Sequence, residues 1–524
     1  MDSNSRKERS MNRFQSTGCY RWIVLGIIMM GTFMAILDSS IVNVALPHMM
    51  STFGVNRDKI EWVVTAFMLA SAVAMTLAGW LAGQLGYKVL YLGSLFIFTA
   101  SSAACALAWS YNSLIAARVL QAVGGGAIQP IGMAIMADLF EPHERGRALG
   151  IWGTGIMVGP AIGPTLGGYL TDWFSWRAIF SVNIPVGIVT IVSGLVIMKS
   201  ESASKRRQVP FDGWGFGFLS VALIAGLIAL SNGQEKGWTS HYILTCLALT
   251  IVVLVFFVTV EASVSHPLLD LKLFLIRNFT LSMILAIFRA IGLFGGLFLL
   301  PLFLENLVGY TTIQAGLWMM PGAVTVGIMM PFAGRLTDRY SYRWLVTMGT
   351  ALTGLSLILY GNLDPLSRAL YIIGPQVVRG IGLAFMMTPL LTAALNAVPV
   401  ERVAMASSFL NVAQRVGGSF GIALLNTFVT NSAHVHAVRL GELLPTQSNG
   451  FYRLALKSSS LHFFRSHGIL PSGQLKALTA STSVILHHAQ VLGFENGFVF
   501  AGLFLIAGVP LSMLLKSYSR QPVV

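Results

Sequence analysis

The sequence predicts an all-α integral membrane protein: fourteen transmembrane helices, arranged as two pseudo-symmetric six-helix bundles with two extra helices between them. Three observations lead there: an apolar excess too large for a soluble core, fourteen apolar runs of membrane-crossing length, and a repeat relating the first six runs to the last six. Of 524 residues, 55% are hydrophobic and only 10% charged, with a mean hydropathy of +0.72. Soluble domains carry about 25% charge, and one aqueous core stops growing well short of this length. The surplus apolar surface must face lipid.

A helix needs about 20 mainly apolar residues to cross the hydrocarbon. The runs are Trp22–Leu46, Ile60–Ala82, Val89–Trp109, Ser113–Ala137, Ala148–Leu170, Ile179–Met198, Trp214–Ser231, Tyr242–Val260, Phe279–Phe303, Ile313–Ala333, Trp344–Gly361, Ala369–Val398, Ala404–Thr430 and Leu492–Leu515. None alternates as barrel strands do, and lipid requires backbone groups to bond within their own segment.

The formal charge of +14 does not point to nucleic acid, because the basic residues sit in short stretches between the runs rather than on a polar module with interleaved aromatics. Counted over those segments, twenty Lys and Arg fall on the side of the N-terminus and five in the short loops opposite. The positive-inside bias then places both termini in the cytoplasm. The division is a tail at 1–21, a first bundle at 22–199, a linker at 200–278 with runs seven and eight, a second bundle at 279–515, and a tail at 516–524. Residues 1–20 lack the apolar core of a signal peptide. Cys19, Cys105 and Cys246 form no CxxC pair, so neither a disulfide framework nor a thiolate metal site is expected.

The second bundle contains a polar outer stretch, 431–491, with six of the ten histidines: His434, His436, His462, His467, His487 and His488. A solvated loop with amphipathic helices is the favoured reading. A docking surface for an outside partner, or a metal or pH-sensing role, stays open, although no ligand-like spacing recurs.

The repeat rests on three features. Gly79–Lys88, with Gly86 inside it, follows run two, and Gly334–Arg343 follows run ten at an offset of 255. Arg118 and Arg379 lie early in runs four and twelve, 261 apart, and Gly159 and Gly163 match Gly417 and Gly421 at 258. Repeats of this kind suit a rocking transporter whose site lies between its halves.

The motifs resemble those of the major facilitator superfamily, and within it the fourteen-span drug:proton antiporters of the EmrB/QacA type. Leu37-Asp-Ser-Ser-Ile-Val-Asn-Val-Ala-Leu-Pro47 is similar to the first-span signature. Arg118-Val-Leu-Gln-Ala-Val-Gly124 resembles the fourth-span motif linked to proton coupling. The stretch Gly155–Gly168, carrying Gly159-Pro160 and Gly163-Pro164, resembles the fifth-span motif of exporters. The resemblance implies a major facilitator fold and a proton-coupled multidrug exporter in a bacterial inner membrane. It also implies a periplasmic adaptor and an outer-membrane channel in cells with two membranes. Two departures stand out. Gly83 and Gln84 occupy places where the family has Asp-Arg, which the second copy keeps as Asp338 and Arg339, and Asn496 replaces a common acid.

An ionisable group inside a bilayer needs a partner or a water-filled cavity. Asp38 and Arg118 lie at similar depths, so Asp38 is the candidate protonation site and Arg118 its electrostatic switch; a permanent buried ion pair is the competing reading. Gly155, Gly159, Pro160, Gly163 and Pro164 serve gating or close packing. Cavity candidates are Asn43, Gln121, Arg289, Glu305, Arg379, Asn411 and Arg415. With Asp38 the one evident intramembrane acid against four arginines, the expected substrates are amphipathic neutral molecules or weak organic acids, with Arg289 the anion partner. Arginines bonded to neighbouring carbonyls explain the same residues.

No P-loop occurs, and no G-x-S-x-G elbow or HExxH site lies on a soluble lobe, so neither ATP nor a hydrolytic site is expected. The proton gradient is the energy source, with no cofactor and no enzymatic activity. The alternatives are a dedicated exporter of one metabolite, siderophore, antibiotic or fatty acid, and a non-transporting lipid-handling or scaffold protein.

Overall fold

The computed structural model describes residues 18–199, 210–264, 266–365, 367–442 and 472–516. Among these, fourteen long helices follow the fourteen apolar runs. They are α1 (Gly18–Phe53), α2 (Trp62–Leu85), α3 (Tyr87–Ala106), α4 (Tyr111–Leu139), α5 (Arg145–Trp173), α6 (Asn183–Ile197) and α7 (Gly213–Lys236). Then come α8 (His241–Ser263), α9 (Arg277–Phe294), α10 (Thr312–Arg339), α11 (Tyr342–Ile358), α12 (Ala369–Asn396), α13 (Val403–Glu442) and α14 (Ser472–Ala507). α9 continues through a π-helical turn, Gly295–Leu299, into Leu300–Asn306.

Twelve of the fourteen are long and apolar enough to cross a membrane by length and composition. The two outside that set are α5 and α13, the pair that the glycine repeat relates. Both are less apolar because each carries a small-residue stripe instead of large side chains.

Helix starts are fixed locally. Ser110 and Ser113 make a capping box on α4, Thr311 and Gln314 another on α10, and Asp212 accepts from Gly215 N at the head of α7, each satisfying N–H groups that have no intrahelical partner. Between α2 and α3 the chain turns at Gly86, whose φ of 83° lies in the region that only glycine enters freely.

Helix ends differ from the apolar runs. α1 continues seven residues past Leu46, through Pro47 to Phe53, so Asp38 lies farther from its outer end than the run alone implied. The described parts of the polar stretch 431–491 are helical: α13 runs on to Glu442 and α14 begins at Ser472. Polarity marks where lipid ends; a helix can continue into water when its neighbour continues alongside, as α13 and α14 do. His462 and His467 lie outside the described residues.

The two sets of six helices pack alike. In the first, α1 lies on α5, and α4 on α2 and α3; in the second, α9 lies on α13, and α12 on α10 and α11. The halves meet where α5 runs along α10 and α2 along α13. α7 leans on α2 and α13, with α8 outside it; Trp238 Nε1, after α7, donates to Thr427 Oγ1 of α13 at 2.8 Å.

Lipid offers no hydrophobic drive for helix association, so small residues that let backbones approach do that work. A side-chain carbon on Gly124 (α4) would sit 2.6 Å from both Phe98 N and Ser94 O of α3. One on Gly382 (α12) would sit 2.6 Å from Thr353 N and 2.9 Å from Gly349 O of α11. These matched contacts set the α4/α12 register at 258, not the 261 drawn from Arg118 and Arg379. In that register Gln121 corresponds to Arg379, and Arg118 to Gln376. The two halves carry Arg-x-x-Gln and Gln-x-x-Arg in the same place, and a charge-to-charge match read along the sequence slips by nearly one turn.

Gly124→Val should lower the unfolding temperature and yield of the purified protein, since overpacking costs about 1–3 kcal/mol. Gly93→Val, where a side chain meets nothing within 4 Å, should leave both unchanged. Equal behaviour of the two in a thermal-unfolding assay would discount close packing at α3–α4.

Candidate functional site

Asp38 and Arg118 meet in the interior of the first six-helix set. Asp38 is 0% exposed and Arg118 1%. Arg118 Nη1 donates to Asp38 Oδ2 at 2.6 Å; Gln121 Nε2 and Asn183 Nδ2 donate to Oδ1 at 2.9 and 2.8 Å. Arg118 also reaches Gln121 Oε1 at 2.6 Å and Val63 O at 3.1 Å, and Gln121 Nε2 reaches Ser102 Oγ at 2.7 Å. One carboxylate thus ties together α1, α2, α3, α4 and α6. The Phe67 ring lies 4.1 Å from the guanidinium carbon, within cation–π range. Asn183, Ser102 and Phe67 had no place in the sequence reading. Asn183 is the lone amide in run six, and that was its one available signal. Phe67 is one of 32 phenylalanines and had none.

A cavity of about 250 Å³ lies between the halves, lined by Ser39, Phe67, Ser71, Gln129, Asn411, Gln414 and Arg415 among others. Arg415 Nη2 donates to Ser71 Oγ across the seam at 2.8 Å. The neighbour of Asp38, Ser39, therefore faces this cavity while Asp38 itself is turned into the bundle.

The α5 motif presents two faces. Side-chain carbons on Gly155, Gly159, Gly163 and Gly167 would run into α1 at Met29, Ile36–Leu37, Ser40 and Ile41. Pro160 and Pro164, one residue along from two of these glycines, turn toward the other half. With Met157, Leu297, Met320 and Arg379 they line a second cavity of about 80 Å³. α5 remains one helix through both prolines; the missing donors do not break it.

The cytoplasmic ends of the halves are latched. Asp338 accepts from Gly146 N and Arg147 N, both at 2.9 Å, at the first turn of α5. The exposed N–H groups and dipole of a helix start favour such a carboxylate. A side chain on Gly334 would collide with Gly146 O, and one on Gly79 would sit 3.0 Å from Met405 Cα of α13. Both loop-motif glycines thus close the seam. Gly83, the counterpart of Asp338, has nothing within 4 Å, so the carboxylate cap exists on one side of the pseudo-dyad only. Arg145 and Asn396 add a 2.8 Å bond across the seam. Lys88 Nζ instead donates to Leu195 O at 3.0 Å, within its own half, and Arg339 is exposed.

The remaining candidates separate. Asn411 and Arg415 line the central cavity and Arg379 the smaller one. Gln121 belongs to the Asp38 network. Asn43 is exposed and lines neither cavity. Arg289, 2% exposed, and Glu305, half-buried at the outer end of α9, also line neither. Arg289 is buried away from both cavities. Outside the apolar runs two further acids are buried: Asp212 and Glu261 are 8% and 4% exposed at the adjoining ends of α7 and α8. Glu261, just past run eight, Oε1 accepts from Leu269 N at 3.2 Å. Among the described residues no group of His, Cys, Asp or Glu could hold a metal ion. His436 Nε2 instead lies 2.8 Å from Asn496 Nδ2.

Two six-helix sets, related by repeat and meeting around a cavity at their seam, define a multi-pass membrane transport protein. The chain belongs to the Major Facilitator Superfamily, whose sequence pattern matches residues 28–422. It is 31% identical over 508 residues to the MFS-type transporter YhcA of Bacillus subtilis (strain 168), covering 95% of this chain and 93% of YhcA. It is 32% identical over 423 residues to the multidrug export protein EmrB of Escherichia coli (strain K12), covering 79% of this chain and 81% of EmrB. The crystal structure of the human organic anion transporter MFSD10 superposes with a TM-score of 0.59 over 94% of this chain and 99% of that one; at 12% identity the two share a fold.

With the native cysteines replaced, a cysteine at Thr154, whose Oγ1 donates to Gly327 O across the seam at 3.0 Å, should react slowly with a maleimide added from the cytoplasmic side. Asp338→Ala should speed that reaction several-fold by removing charge-assisted bonds to α5. An unchanged rate would show that the latch rests on the glycine contacts alone.

Proposed function

We propose that this chain is a proton-coupled multidrug exporter of fourteen crossings, with both termini cytoplasmic, in a bacterial inner membrane. The observation that carries the coupling reading is the position of Asp38. It is fully buried, satisfied by Arg118, Gln121 and Asn183, and next in the chain to Ser39, which lines the central cavity. EmrB is named for multidrug export, and the exporter motif on α5 agrees with that direction of transport. An adaptor and an outer-membrane channel would complete the path in a cell with two membranes.

The geometry suggests how coupling works. α5 packs its glycines on α1 at Ile36–Ile41, the turn that carries Asp38, while its other face and first turn rest on α10 and α12 of the second half. Tilting the halves moves α5, and α5 moves the Asp38 turn against α4. A small separation opens the Asp38–Arg118 bond, and Asp38 exchanges that partner for a proton. Arg118 keeps Val63 O, Gln121 Oε1 and the Phe67 face, so its charge is not stranded while the carboxylate is protonated. Release of the proton on the cytoplasmic side restores the pair. Substrate in the central cavity touches Ser39, Phe67 and Arg415, the residues adjoining both sides of this step.

Asp38→Asn should remove proton-driven dye and drug efflux from cells and vesicles. The amide can still hydrogen-bond Arg118, so the variant should fold and exchange substrate down a concentration gradient without a proton gradient. Full proton-driven efflux by Asp38→Asn would refute the coupling role. Arg118→Ala, which strands a buried carboxylate, should be the less stable of the two by about 3 kcal/mol.

A further inference from the structure

The second half holds a buried arginine whose counterpart environment lacks the acid that the first half supplies. In the α4/α12 register given by the glycine contacts, Arg379 corresponds to Gln121. Gln121 touches Asp38; Arg379 lies against Gly296, so closely that a side-chain carbon on Gly296 would occupy the guanidinium. Gly296 is separated from Asp38 by 258 residues, the offset shared by the α5 and α13 glycines. The contact and the repeat therefore agree: where the first half has a carboxylate, the second has a glycine.

Arg379 is 4% exposed, and among the described residues its Nε and Nη1 have no hydrogen-bond partner. A buried guanidinium left without an anion is costly in lipid, and unpaired charge of this kind is retained chiefly where something binds. The place is not sealed in the bundle. Arg379 lines the 80 Å³ cavity between Pro160 and Pro164 of α5 and Met319 and Met320 of α10, at the seam that moves during transport. α9 is π-helical there, at Gly295–Leu299, a widening found often at functional sites. The other lining groups are apolar, so the cavity offers one cation in a greasy wall.

We propose that Arg379 forms an anion subsite in the wall of this cavity, in which the carboxylate of an amphipathic organic acid supplies the negative charge that Asp38 supplies in the first half. The cavity accepts a carboxylate and the atoms next to it, with the apolar remainder of the molecule lying among Met157, Met319, Met320 and the two prolines. The proposal rests on the reading that the seam between the halves is the transport path, and it moves the anion partner from Arg289 to Arg379. A free inorganic anion has the same chemistry toward the guanidinium, so the test separates the two.

The test is equilibrium binding of salicylate to the purified full-length protein in chloride-free gluconate buffer, with salicylamide as the neutral analogue and chloride as competitor. Salicylate should bind and salicylamide should not. Arg379→Met should weaken salicylate roughly tenfold or more, as removal of a buried charge partner does. Arg379→Lys, which keeps a positive charge in the same wall, should retain more of the salicylate affinity than Arg379→Met. Arg289→Met should leave binding unchanged. Chloride that displaces salicylate makes an inorganic anion an occupant of the same subsite; failure to displace it restricts the subsite to organic acids. Asp38→Asn protein needs no proton gradient to bind and should keep the salicylate signal, so loss of coupling and loss of the subsite are read independently. Wild-type salicylate affinity in Arg379→Met, or equal binding of salicylamide, overturns the proposal.

Discussion

The structure depends on one buried carboxylate. Asp38 has no contact with solvent, so every lone pair it exposes must be met inside the protein, and the groups that meet it come from separate helices: Arg118 and Gln121 from α4 and Asn183 from α6. Arg118 in turn fixes Val63 of α2, and Gln121 fixes Ser102 of α3. An apolar bundle in lipid has few means of choosing one register over its neighbours, because Leu packs on Leu about as well one turn away. A charged pair with directional bonds does choose, since slipping one turn would strand both charges.

α5 carries that local order to the rest of the molecule. Small residues on one side press it into α1 beside Asp38. Its prolines face the second half, and its first turn is capped by Asp338 from α10. Loosely packed helices would absorb a tilt between the halves through side-chain rearrangement. Contacts in which backbone meets backbone, as at Gly146 and Gly334, have no side chains to rearrange, so displacement at the seam passes directly to the turn that holds the carboxylate.

The two halves share a frame and divide the chemistry. The first keeps an acid and an arginine together in a closed polar knot and lacks the loop carboxylate, having Gly83 in its place. The second keeps the loop carboxylate Asp338 and lacks the buried acid, having Gly296 where Arg379 looks for one. Each half thus omits what the other supplies. That division leaves a pseudo-symmetric scaffold with a carboxylate–guanidinium pair buried in one half and a guanidinium without a carboxylate in the other.

The sequence by itself determined the class of molecule and the number and order of its long helices. Segment hydropathy is a one-dimensional property, and lipid leaves an apolar run little choice but helix. It also paired Asp38 with Arg118, because an intramembrane charge needs a partner and few were on offer. It could not give helix rotation. Asn43, Gln121 and Arg289 were all credible cavity residues as polar groups in apolar runs, yet Asn43 faces outward, Gln121 serves Asp38 and Arg289 is buried away from both cavities. Those orientations follow from which face of each helix carries the small residues and what packs there. The tertiary structure alone decided that Asp38 turns into the bundle while Ser39 faces the cavity, that Arg379 corresponds to Gln121, and that α13 and α14 continue as paired helices into a polar stretch. Each depends on contacts between segments far apart in the chain, which no local pattern encodes.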